Sequence, residues 1–378
     1  MRSHEVWLWL GVLGTVGSAC GGTPGAAALS ARATSASASA ARAGSASAAP
    51  SAAPSPPARP SPAAAPAPQG IEQVVRREGA GHTADLLVVQ GGFAFLGLQG
   101  RIVKVPIAGG VPVDLAPIPK SFTGSGQELF VDATGLYWAE AKRGVITVGQ
   151  AGGVSKVLAA ADGTVGHVVT DDTYAYWWTD APHGPSVLHR APKAGGTVED
   201  FQTGDSVVLA LAVDDTRLFW SGTSHGAHLP HEFFVASMPK AGGTPTRLPA
   251  KVDWVQRLVL EGEDIYAIMT RAEDVQARDA TKVVRLTKAG DGLTVLAVAY
   301  GADNIVTDGK ALYWAAPAPA ATHVLPATEI LKLPFGSGSA PTKLVEGRPF
   351  IVALALDTER LYWAEHDDET YAVLGCPK

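Results

Sequence analysis

Three histidines spaced three residues apart, His225, His228 and His231 in the stretch SHGAHLPH, form the densest set of metal-capable side chains in this 378-residue sequence. Neutral imidazoles from this stretch, joined by His183 from the matching stretch one repeat earlier, could coordinate zinc or copper. The plainer reading is a solvated loop, because Pro230 interrupts any regular element and Glu232 is the one acidic neighbour. Gly222 to Gly226 also spell Gly-x-Ser-x-Gly around Ser224, the pattern of a nucleophile held on a strand-to-helix turn; a strand is expected before it and no helix after it. Near the C-terminus, Glu365, His366, Asp367, Asp368 and Glu369 could hold calcium, but they lack the glycine-spaced ligand order of a calcium loop and read as solvated charge. Asp274 and Asp279 occupy another irregular stretch, 271–281. The expected binding residues are thus His183, Ser224, His225, His228, His231, Asp274, Asp279, His366, Asp367 and Asp368. No catalytic residue, metal or cofactor is assigned.

A second acidic pattern is periodic. Asp132, Asp171, Asp214, Glu261, Asp308 and Asp357, with Gln90 in the first unit, each precede an aromatic by about five residues. A ring of metal-binding or catalytic carboxylates is one reading. The other is local: Asp opens tight turns by accepting backbone hydrogen bonds, and Thr134, Thr173 and Thr216 suit the same turns.

Those aromatics define the element plan. Phe95, Tyr137, Tyr176, Phe219, Tyr266, Tyr313 and Tyr362 recur at intervals of 39 to 49 residues, each in a unit of four short apolar runs. Such a period predicts an all-β, seven-bladed β-propeller of four-stranded antiparallel blades. In the fourth unit the strands are read as a (208–213), b (217–221), c (233–239) and d (244–250). Phe219 and Trp220 are adjacent and point to opposite faces, so both faces must be buried, as they are when blades stack. Trp138, Trp177, Trp314 and Trp363 repeat the pair, with Leu96 and Ala267 in its place in the first and fifth units. The glycine pairs 109–110, 152–153, 195–196 and 242–243 mark c-to-d hairpins needing positive φ. The segment 371–378 matches 186–193, so the last blade ends at strand c, and residues 71–78 are expected to supply its missing strand d. The same match puts Cys376 in line with Met238, Ala191 and Leu333, as a small buried hydrophobe.

The repeated phrase LALAVDDTRLFW, the string YWWTD (176–180) and the segment EILKLPFGSGSAPTKLV (329–345) resemble the YWTD propeller repeats of the low-density-lipoprotein receptor family and its bacterial relatives. That resemblance spans residues 71–378 and implies a binding platform. The receptor propellers have six blades, so six remains an alternative to the seven units counted here.

Ahead of the repeats, residues 1–20 combine Arg2, an apolar run and small residues before Cys20, as a secretory signal does. Gly17-Ser18-Ala19-Cys20 resembles the lipobox of bacterial lipoproteins, in which Cys20 would carry the lipid and Gly21 would favour the outer membrane. Residues 21–70 are almost wholly Ala, Ser, Pro and Gly, too poor in apolar bulk to offset ordering entropy, and read as a disordered tether reaching on the order of 100 Å. Four arginines against one glutamate give residues 1–70 a charge of +3, leaving −9 of the total −6 on 71–378. An acidic head excludes nucleic acid as the natural partner. Two cysteines, Cys20 and Cys376, exclude a disulfide scaffold.

The expected function is that of a monomeric cell-envelope lipoprotein, secreted if Cys20 is not lipidated. Its head would bind a protein or envelope component without catalysis, through the long b-to-c loops. The alternative is a metal-dependent lactonase or gluconolactonase-like propeller hydrolase. That chemistry needs acidic and amide groups converging on the axis, and Asn304, the sole asparagine, stands at the start of a strand a.

Overall fold

The computed structural model describes residues 71–78, 86–98, 100–118, 129–140, 142–161, 164–181, 184–224, 232–272, 277, 280–302, 304–317, 327–336, 339–367 and 370–378. Cys20, the tether, His183, His225, His228, His231, Asp274, Asp279 and Asp368 lie outside them. All described residues belong to one unit, Pro68–Lys378.

Seven antiparallel sheets follow one another along that unit, at 87–117, 129–159, 164–202, 206–247, 254–298, 305–348 and 350–377. Each is a blade with strands in the order a, b, c, d, and seven blades, rather than six, make the propeller. In blade 4 the strands are a (Ser206–Val213), b (Arg217–Ser224), c (Phe233–Pro239) and d (Thr246–Arg247). Strand d is shorter than the sequence pattern suggests. Pro245 and Pro249 flank it, and neither has an N–H to donate to the ladder.

Blade 7 has strands a (Phe350–Leu356), b (Arg360–His366) and c (Thr370–Pro377), and its fourth strand is Glu72–Glu78. Glu72 pairs with Gly375 and Glu78 with Thr370 in an antiparallel ladder. The N-terminal strand thus closes the ring, as the unmatched end of the last repeat predicts.

The reason for closure lies in the blade faces. Seven hydrophobic clusters fill the unit, one at each junction between consecutive blades, the junction of blade 7 with blade 1 included. Tyr176 packs toward blade 4 beside Trp220, while the adjacent Trp177 packs toward blade 2 beside Tyr137. Twelve of the largest side chains, among them Trp138, Trp177, Trp220, Trp314 and Trp363, are fully buried. Burying one such ring is worth ~2–3 kcal/mol, and a blade at an open edge would forfeit that on one whole face. Leu96 and Ala267 fill the same column where the tryptophan is absent, and both are also buried. Cys376 is buried as expected, and burial pushes its thiol pKa up.

The hairpin glycines take positive φ, for example 88° at Gly195 and 148° at Gly196, which lets the chain reverse between strands c and d without a Cβ clash.

Replacing Val75 by alanine removes buried methyl groups opposite Val373 at the junction of blades 7 and 1. Val75→Ala is expected to cost about 2 kcal/mol, read as a lower thermal midpoint and faster proteolysis, with the exposed neighbour change Gln73→Ala leaving both unchanged.

Candidate functional site

Alternation of strands fixes two ends for the ring. The a-to-b and c-to-d turns lie at one end, the b-to-c and d-to-a connections at the other. Residue Ile71 enters at the turn end, because Glu72 pairs with Gly375 near the close of strand c.

At the turn end the acidic column resolves into a clasp. Asp171 Oδ1 accepts the backbone N–H groups of Thr173 and Tyr174, and Oδ2 accepts the Tyr176 hydroxyl and the Lys240 ammonium from blade 4. Asp132 and Lys193 (2.6 Å), Asp214 and Lys288 (2.6 Å), and Asp308 and Lys378 (2.9 Å) repeat the cross-blade pair. Each lysine directly follows strand c of the next blade. Lys193, Lys240, Lys288 and Lys378 are thus a second periodic signal in the sequence, one that the acidic column alone does not reveal. Where Phe335 takes the lysine's place, it stacks on Tyr266 of the preceding blade at 4.9 Å. Burial by itself would raise the Asp171, Asp214 and Asp308 carboxyls, but the lysine and the turn N–H groups outweigh it and hold all three at about 2. Burial first, then the neighbouring aspartate, raises the Tyr176, Tyr313 and Tyr362 hydroxyls. Four acids of the column, Asp132, Asp171, Asp214 and Asp308, are therefore engaged in holding neighbouring blades together, and among the described residues no three His, Cys, Asp or Glu are grouped to hold a metal.

A different set of carboxylates serves the tryptophans. Glu140 Oε1 accepts the Trp138 indole N–H and Glu365 Oε2 that of Trp363, both at 2.8 Å. Arg143 and Arg348 neutralise them. Glu365 is 4% exposed, so the expectation of a solvated acidic loop is corrected for this residue: the indole N–H draws it inward. The remaining described part is a turn, with the Asp367 carboxylate accepting the Thr370 N–H and hydroxyl. His366 sits edge-on to Phe350, ring centroids 5.4 Å apart.

Ser224 is the last residue of its strand, paired with Ser206. Its Oγ accepts from Arg247, which also bonds Asp205 and Glu232 and lies over the Phe234 ring. This guanidinium contact ties the Ser224 side chain to strand d at the end of its own strand. Arg247 thus links Ser224 and Glu232, the described residues on either side of 225–231.

A hydroxyl, an imidazole and a carboxylate do line up in blade 3. Thr179 Oγ1 and His189 Nε2 are 2.8 Å apart, and His189 Nδ1 lies 2.7 Å from Asp200 Oδ1. They border a cavity of about 330 Å³ with Ala160, Ala161, Trp177 and Val198. The ladder sets Trp177, His189 and Asp200 side by side on strands b, c and d, and His189 stacks on Trp177.

The larger cavity, about 550 Å³, is the central channel, walled by strand a of every blade. That volume falls in the range of small-molecule sites. Its wall is about as polar as it is apolar, with Leu87, Val88, Phe130, Val259, Val306 and Leu354 supplying apolar side chains. Counting back four places from each turn acid or Gln90 gives the level nearest the loop end: Leu86, His167, Ala210, Arg257, Asn304 and Ala353. The second blade's residue at this level, Glu128, lies outside the described residues. Among the described residues, three blades thus depart from the apolar rule at one height.

Local causes for these departures can be named. In blade 3 the extra aromatic Trp178 occupies a position held by Ala139, Ala315 and Ala364 elsewhere. A Cβ on Gly166 would come within 2.0 Å of the Trp178 ring, so strand a breaks there between Thr164–Val165 and Val169–Thr170, and His167 stands in the break. Its ring is 5.3 Å from Trp178. Strand a carries a bulge just before Ala210, Arg257 and Ala353, which re-aims the following side chain. The bulged Val352 carbonyl accepts the Asn304 amide at 2.9 Å. Asn304 thus does reach the axis, and among the described residues it shares that level with His167 and Arg257. Among the described residues no cluster of three His, Cys, Asp or Glu is arranged to hold a metal.

The chain matches no protein-family model and no curated protein. Its fold recurs in solved structures. The β-propeller domain of the trilobed protease from Pyrococcus furiosus, described as an open velcro topology, is 11% identical, with a TM-score of 0.58 over 78% of this chain and 95% of that one. Virginiamycin B lyase from Staphylococcus aureus is 11% identical, with a TM-score of 0.54 over 80% and 99%. The tricorn protease is 9% identical, with a TM-score of 0.55 over 80% of this chain, which spans 34% of that protein. At these identities the likeness is one of fold.

Two titrations follow. The clasp carboxylates lie below their ordinary value of 3.8, so their stabilisation is present above that pH and is lost as pH falls toward about 2. Asp171→Asn is expected to cost about 2 kcal/mol at pH 7, with the difference from the parent shrinking by pH 2 in urea melts. Asp180 is the opposite case: burial raises its carboxyl, and the Ser186 hydroxyl at 2.7 Å offsets this in part. Its ionisation costs the native state as pH rises from the ordinary range through the raised value. Asp180→Asn is therefore expected to raise the thermal midpoint at pH 7 and to leave it nearly unchanged at pH 3.

Proposed function

We propose that this protein is an envelope-anchored binding protein of the YWTD propeller type: Cys20 carries a lipid, residues 21–70 form the tether, and the propeller presents its loop end to a protein or envelope component. One observation supports this above the others. The chain enters the ring at the turn end, through the strand that starts at Glu72, while the irregular connections and the polar channel mouth lie at the other end. Within the ring, the loop end thus lies across from the point where the chain enters. The turn end itself is stereotyped and committed to the Asp–Lys clasp, so variation is confined to the loop end, as in other scaffolds that bind through loops.

Metabolic labelling with palmitate should mark the parent protein and not Cys20→Ala, and the parent should fractionate with membranes. Label retained by the variant, or a parent found wholly in the soluble fraction, would overturn the anchor.

A second reading, a hydrolase, is favoured by the Thr179, His189 and Asp200 alignment beside its cavity. In it Thr179 would be the nucleophile, His189 the general base and Asp200 the group that orients the imidazole. Hydrolysis of p-nitrophenyl acetate by the parent that is lost in His189→Ala and in Thr179→Val would support it. Equal background rates in all three would leave binding as the function.

A further inference from the structure

We propose that the cavity between blades 2 and 3 is a binding site for a small neutral carboxamide, whose carbonyl oxygen accepts the Trp177 indole N–H in the place that a glutamate carboxylate fills in two other blades. The site needs neither the membrane anchor nor the hydrolytic reading of the same cavity.

Blades 2 and 7 show what a buried indole N–H asks for. Glu140 and Glu365, two places after Trp138 and Trp363 on strand b, each supply a carboxylate oxygen at 2.8 Å, and an arginine neutralises each. Trp177 holds the same place on strand b of blade 3 and is 1% exposed, but residue 179 is a threonine whose hydroxyl is turned to His189. The Trp177 N–H is therefore buried without an acceptor, a state that folded interiors avoid. Trp220 and Trp314 are unpartnered too. Trp177 differs from them in its surroundings: it and Thr179, the two residues between which the absent carboxylate would lie, both wall the cavity of about 330 Å³. That volume stands at the lower end of small-molecule sites. The rest of the wall selects the ligand head. Among its described residues there is an aspartate, Asp200, and no lysine or arginine. A carboxylate there would lack the counter-charge that Arg143 and Arg348 give the glutamates, and it would face a like charge. A neutral carbonyl oxygen accepts the indole N–H without that penalty. Asp200 spends Oδ1 on His189, which leaves Oδ2 to accept an N–H, and an amide brings the carbonyl and the N–H in one group. Ala160, Ala161 and Val198 form the apolar part of the wall and reward a short hydrocarbon body.

The propeller unit, residues 68–378, contains all seven junctions and its own closing strand, so it serves as the test protein. In nitrogen-labelled protein the Trp177 indole N–H gives its own magnetic-resonance signal, assigned through its proximity to the stacked His189 ring. Titration with butyramide, butyrate and butanol separates the head from the body. Butyramide is expected to move the Trp177 signal saturably, with butyrate and butanol weaker by about ten-fold or more. Thr179→Glu rebuilds the arrangement of blades 2 and 7, so it should move the signal of the free protein toward those of Trp138 and Trp363 and weaken butyramide by about ten-fold or more. Should Thr179→Glu fail to fold, as judged by far-ultraviolet circular dichroism, Ala161→Leu should weaken butyramide to the same extent by filling the cavity. A Trp177 signal that butyramide leaves in place, equal binding of butyramide and either of the other two compounds, or butyramide affinity unaltered in Thr179→Glu or in Ala161→Leu would each overturn the proposal. Equal rates of ester hydrolysis in the parent and in His189→Ala bear on the hydrolase reading alone and leave this result untouched.

Discussion

Each blade has two apolar faces, and everything else in the molecule follows from the need to cover both. Adjacent residues of strand b, such as Phe219 and Trp220, send one ring to each side. A sheet built this way is stable only between two like neighbours, so the chain has no natural stopping point short of a ring. The cost of an open edge explains why residues 72–78, distant in sequence from the last repeat, complete it. It also explains why a junction without the tryptophan still buries Leu96 or Ala267 at that place.

Around this packing the polar groups divide by duty. At the turn end, aspartates, tyrosines and lysines form a clasp repeated from blade to blade, and their perturbed ionisation reflects mutual satisfaction rather than reactivity. Along the tryptophan face, Glu140 and Glu365 complete an indole N–H that would otherwise be buried without a partner. The indoles of Trp177, Trp220 and Trp314 lack such an acceptor, because Thr179, Gly222 and Ala316 stand where the glutamates would be. Strongly shifted groups are a common guide to function; in a repeat protein they mark first the joints.

Much of the architecture was legible in the residues. The aromatic column, the turn acids, the hairpin glycines and the unmatched C-terminal strand are each written within a unit of about forty residues, and the observed blades follow them closely. The site was less legible. Ser224 and Glu365 looked like loop chemistry because their partners, Arg247 and Trp363 with Arg348, are set by strand pairing and not by the local motif. Asn304 was visible as a lone amide at a strand start, while His167 and Arg257 gave no sign unless each unit is aligned on its acid and counted back four places.

The sequence by itself determined the propeller class, the faces its blades bury, the turn chemistry and the way the ring closes, because these depend on periodicity and on neighbours a few residues apart; that the blades number seven and not six was decided by the sheets themselves. Tertiary structure alone decided which lysine meets which aspartate, across separations of 61, 69 and 74 residues. It decided too which side chains share the channel mouth, because a break in one strand and bulges in others aim them at a common axis that no single repeat contains.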